Sequence, residues 1–64
     1  MDIPVIHKKT GKEYIVLHGE VTECTNGREE LKYVVYVNTY GQIFCREKEE
    51  FWRKFEVMDV LAKN

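Results

Sequence analysis

A chain of 64 residues makes one domain, and a core of that size buries only about 60% of the unfolded surface. Ten basic and eleven acidic residues leave a formal net charge of −1, so no global field draws in a polyanion. Hydrophobic residues at 44% and aromatics at 12% exceed a disordered composition, and no apolar run reaches the roughly 20 residues of a membrane span or resembles a signal peptide.

Met1 to about Val5 is expected to fray, and TGKEY then reads as a turn feeding the first strand. The glycines fall singly, at Gly11, Gly19, Gly27 and Gly41, and separate four β-branched and aromatic runs: EYIVL, EVTECT, LKYVVYVN and QIFCR. TNGRE joins the second and third runs with Asn26-Gly27, a dipeptide that accommodates the positive φ of a hairpin turn. The third run should be the central strand. One of its faces carries Leu31, Tyr33, Val35 and Val37, apolar throughout and the better candidate for the core; Lys32, Val34 and Tyr36 take the other. NTYGQ turns the chain at Gly41, after which Ile43 and Cys45 are expected inside and Phe44 and Arg46 outside.

Past Arg46 the pattern becomes helical, with Glu47, Glu49 and Glu50 at the front and Arg53 and Lys54 at the rear, matching the helix dipole. The spacing predicts one or two helical turns from about Lys48 to Arg53 and a closing strand from Lys54 to about Val60. A single helix from Glu47 to Leu61 is the alternative, and Ala62 to Asn64 are expected to fray. Together these elements make a mostly β domain: a small SH3-like five-stranded barrel or a strongly bent antiparallel sheet, with one short helix near the C-terminus.

The order of KTGKEYIVL, EEL, YVVY, TYG and REKEEFWRKFE resembles DUF1653, a family of small bacterial and phage domains of unknown function. Members read K-G-x-x-Y-x-V, then E-E-L-V-V-Y, L-Y-G and W-V-R-P before a phenylalanine-rich segment. The likeness spans roughly Ile6 to Glu56. It departs where Ile43 to Arg46 replace the tryptophan and V-R, and where Glu47 replaces proline. The resemblance implies a small β-rich domain and carries no established activity.

Serine is absent, which removes serine-based hydrolysis. Cys24 and Cys45 could pair with His7 or His18 as nucleophile and base, but both thiols fall in predicted strands, where burial would leave them inert. The same four residues lack the short paired spacings of a structural zinc site. The glutamate pairs 29–30 and 49–50 have no cleft to work in, and no glycine cluster could cradle a phosphate. No metal and no cofactor is expected.

What the composition supports is a non-enzymatic, cytoplasmic interaction module. It would bind a protein partner or form a homodimer through an aromatic and arginine patch of Tyr36, Tyr40, Phe44, Arg46 and Trp52, residue types that anchor interfaces. Nucleic acid is the alternative partner, since aromatics and basic residues could stack bases. It is disfavoured because residues 44–56 hold four basic and four acidic side chains. The charge is uneven elsewhere: Met1 to Lys12 carries Lys8, Lys9 and Lys12 against Asp2, and Glu13 to Glu30 carries five glutamates against Arg28.

Overall fold

The computed structural model describes residues 2–25, 27 and 31–58. Strands β1 (Ile3–His7), β2 (Glu13–Thr22), β3 (Lys32–Asn38) and β4 (Ile43–Glu47) form an antiparallel meander; helix α1 (Lys48–Lys54) follows, and β5 (Phe55–Val57) returns to pair with β1. The order β4-β3-β2-β1-β5 leaves β4 and β5 as edges. The sheet is therefore open, so of the two expected forms the bent sheet is adopted. Its bend has a local cause: the pairing of β2 with β3 shifts register between Val16 and His18 and again between His18 and Val21, as β-bulges do.

Five strands were expected, but the set differs. EYIVL and the start of EVTECT are one continuous strand, β2, because Gly19 falls inside a bulged strand and not in a turn. The remaining strand is β1, formed by the segment expected to fray. Its Val5 is fully buried, and Pro4 is tolerated there, its carbonyl accepting from Met58 N. Asn26, most of the predicted hairpin turn, Asp59 and Val60 at the end of the closing strand, and Ala62 to Asn64 lie outside the described residues. Gly27 has the positive φ (83°) that the hairpin reading requires.

The turn after β3 forms as its sequence dictates. Asn38 Oδ1 accepts from the backbone N–H groups of Tyr40 and Gln42, both at 2.9 Å, and Gly41 takes φ 87°, a conformation that would strain a side chain.

The core face of β3 is the reverse of the one expected. Val34 and Tyr36 are buried, while Tyr33, Val35 and Val37 are half-buried on the outer face. Both faces of the strand are apolar, so alternation alone could not choose between them. The helix does. Phe51 and Phe55, four residues apart, stack at 4.2 Å between ring centroids with planes 5° apart, and they cover Val5, Val16, Val34 and Tyr36. On β4 the assignment reverses in step: Ile43 and Cys45 face out and are exposed, while Phe44 and Arg46 face the core side opposite Tyr36 and Val34.

Helix α1 keeps nearly the expected bounds, and the return to a strand at Phe55 rules out one helix to Leu61. Glu47 caps it, its carboxylate accepting from Glu49 N (3.0 Å) and Glu50 N (3.1 Å). These two backbone bonds hold the Glu47 carboxyl below its ordinary value. Across the molecule, Lys48 Nζ meets Glu20 Oε1 at 2.8 Å and ties the helix start to the bulged half of β2.

Candidate functional site

On the core side, the strand ends bring four rings to one open pocket: Tyr14 of β2, Tyr36 of β3, Phe44 of β4 and Phe55 of β5. Tyr36 and Phe44 are directly opposite each other in the ladder, with centroids 5.5 Å apart. Tyr14 meets Tyr36 and Phe55 edge to face at 5.4 Å each. These contacts fix the ring walls through favourable quadrupole geometry. The space they enclose is about 220 Å³, below the range of sites that swallow a whole metabolite. It fits one planar group of a larger partner.

The rim is polar and basic. His7 comes from the end of β1, Thr10 and Lys12 from the β1–β2 turn, and Arg46 from β4. His7 Nδ1 accepts from Thr10 N at 3.3 Å, and its ring meets Phe55 edge-on at 4.8 Å. Arg46 donates from Nε to the Tyr36 hydroxyl at 3.3 Å and from Nη1 to Glu50 at 3.5 Å, with its guanidinium carbon 6.0 Å from the Phe55 centroid. The Tyr36 hydroxyl, and after it the Glu50 carboxylate, favour the charged guanidinium and raise Arg46 above its ordinary value.

One lysine among the described residues, Lys12, lines this pocket. Lys8 N donates to Lys54 O at 2.9 Å, which lays the lysine-bearing turn against the end of α1. Lys8, Lys9, Lys12 and Lys54 make no ion pair among the described residues. Glu13 and Glu56, both in register with Ile6, belong to the outer face of the sheet, and Glu13 also borders the groove beside Tyr40. The balance counted over residues 44–56 leaves out Lys12, which reaches the pocket from the other end of the chain.

Three of the five expected site residues meet here: Tyr36, Phe44 and Arg46. Tyr36 does so as a buried wall, 4% exposed, and not as an outward side chain; Phe44 stays 37% exposed. Tyr40 projects from the β3–β4 turn, 88% exposed, beside a groove that shares Lys12 and Tyr14 with the pocket. Trp52 is not brought in: it packs edge-on against Phe51 at 4.8 Å, partly buried beside the core. Sequence reading missed His7, Lys12, Tyr14 and Phe55. Tyr14 was recoverable from its alternation with Val16, whereas His7 and Lys12 required knowing that IPVIH is a strand.

Neither thiol is buried as expected. Cys24 and Cys45 are free and exposed, so inertness through burial does not apply. His18 and Cys45 flank Val35 from two strands away, roughly 10 Å by the spacing of strands, too far for a nucleophile and its base. No group of three or more His, Cys, Asp or Glu among the described residues is placed to hold a metal ion. No helix among them is long and apolar enough to cross a membrane.

Comparison with protein-family models, with curated proteins and with solved structures finds no match to this chain. The resemblance to DUF1653 rests on the order of its motifs alone.

Proposed function

We propose that this protein is a non-enzymatic interaction module of the cytoplasm that holds a planar group of a macromolecular partner in the pocket of Tyr14, Tyr36, Phe44 and Phe55. The observation that carries this reading is the pocket's composition: aromatic walls on four strands, too small for a metabolite and rimmed by Arg46 and Lys12. Tyr14 and Tyr36, which fall in the KTGKEYIVL and YVVY motifs of the resemblance, meet in it. Two exposed, unpaired thiols suit a reducing compartment. Saturation-transfer NMR with two anionic ring probes, a 5′-nucleoside monophosphate and N-acetyl-phosphotyrosine amide, tests the reading. At least one probe should bind, with its ring nearest the protein, and Phe44→Ala should abolish the transfer. Equal transfer in wild type and variant, or none for either probe, would refute it.

Self-association is a second reading, and it moves to the other face of the sheet. Ile43 (66% exposed), Cys45, Val35, Val37 and Ile15 run across β4, β3 and β2 in adjacent register positions and end at the open β4 edge. An uncharged stripe of this kind is complementary to its own copy. Light scattering should then report a dimer that Ile43→Lys converts to monomer; a monomeric wild type removes the reading.

A further inference from the structure

We infer that the macromolecular partner is a single-stranded nucleic acid, one base entering the aromatic pocket and a neighbouring base stacking on Tyr40 while the lysines of the β1–β2 turn follow the phosphates. This rests on the pocket being a binding site and goes further by naming what enters it. Three observations on the same end of the molecule select the class.

The first is the kind of cation present. Lysine is depleted at protein–protein interfaces, where arginine and aromatics dominate. Here Lys12 lines the pocket, and Lys8, Lys9, Lys12 and Lys54 make no ion pair among the described residues. The backbone bond from Lys8 N to Lys54 O sets the β1–β2 turn beside the end of α1, and among the described residues Glu13 is the one acidic residue bordering the groove at Tyr40. Unpaired lysines beside aromatic rings are the ingredients of a site that tracks a phosphate backbone while stacking bases.

The second is the pair of ring platforms. Beside the pocket, Tyr40 stands 88% exposed on a turn pinned by two hydrogen bonds to Asn38 Oδ1. A free ring held on a rigid turn loses little entropy on stacking. Lys12 and Tyr14 border both the pocket and the groove at Tyr40, so the two platforms are neighbours.

The third is shape. Bases must be unstacked to enter a ring pocket, and α1, with only seven residues, is covered on its Phe51 face and offers no long helix to a duplex groove. A single strand satisfies both conditions.

The test is fluorescence anisotropy of the full chain with a labelled oligothymidylate, its uridylate counterpart, and a labelled peptide of glutamates and tyrosine with matched length and charge. Either oligonucleotide should bind at least 10-fold more tightly than the peptide. If four lysines each neutralise one phosphate, log K falls against log salt with a slope of roughly −3, which is about 50-fold between 50 and 200 mM. Lys8→Gln with Lys9→Gln should reduce that slope by about 1.4. Tyr40→Ala, at a position outside the core, should weaken binding by about 5-fold or more, and Phe44→Ala should do so at the pocket.

Peptide binding equal to or tighter than oligonucleotide binding would overturn the nucleic-acid assignment while leaving the pocket a protein-binding site. Oligonucleotide binding indifferent to both Tyr40→Ala and the lysine pair would overturn it as well. Binding of none of the three probes would remove the assignment; if the ring probes also fail, the pocket reading falls with it.

Discussion

Arg46 donates from Nε to the hydroxyl of Tyr36 at 3.3 Å, so a side chain at the rim of the pocket is oriented by one that belongs to the core. The two cannot be probed as equivalent surface residues. Tyr36→Phe keeps the ring in contact with Phe51 and Phe55 and removes only the hydroxyl. It should cost about 0.5–1.5 kcal/mol. Tyr36→Ala leaves a cavity as well and should cost about 3–5 kcal/mol. Urea denaturation of both variants checks the contrast.

Phe51 is fully buried and stacked on Phe55, and it is the contact through which α1 covers the sheet. Phe51→Ala should cost about 3–5 kcal/mol, a large share of the stability of a domain this small. Circular dichroism should show a chain largely unfolded at physiological temperature, and Phe51→Leu should restore much of the loss.

Gly41 holds φ 87°, and no atom lies within 4 Å of where a Cβ would stand. A substitution there meets backbone strain and no clash. Gly41→Ala should cost about 1–2 kcal/mol, and Gly41→Asn less, because asparagine enters the left-handed region more readily. The difference in melting temperature between the two variants is the measurement.

Much of this architecture is legible in the sequence wherever a residue has one physical solution. Gly41 after Asn38, the acidic front and basic rear of α1, and the strand returning at Phe55 all follow from local chemistry. What misleads is LKYVVYV, apolar on both faces, whose inward side is decided by Phe51 and Phe55 and not by its own alternation. That single inversion carries Tyr36 inward and Cys45 outward. The candidate site was half legible for a related reason. Tyr36, Phe44 and Arg46 lie close in sequence, whereas His7 reaches the pocket through the pairing of β1 with β5, and Lys12 through the β1–β2 hairpin.

Acid should destabilise the fold in a defined window. The Glu47 carboxyl is held below its ordinary value of 4.5 by the backbone N–H groups of Glu49 and Glu50, and Glu20 is held below it by the hydrogen bond from Lys48. Because both folded-state values are depressed, their contribution is complete above about pH 4.5 and is lost as pH falls through the lowered folded values. Melting temperature should be flat from neutrality to about pH 5 and decline below pH 4.5. Glu47→Ala should lower it at neutral pH and flatten the acid decline, since the capping carboxylate is then absent at every pH.

The central claim, that the aromatic pocket with its basic rim is where a single-stranded nucleic acid binds, is tested most directly by a two-dimensional amide NMR titration with oligothymidylate. The account predicts shift changes concentrated at Lys8, Lys12, Tyr14, Tyr40, Phe44 and Arg46, fading as salt is raised. Changes concentrated instead on Ile15, Val35, Ile43 and Cys45 of the outer face, or a spectrum that does not change, would contradict it.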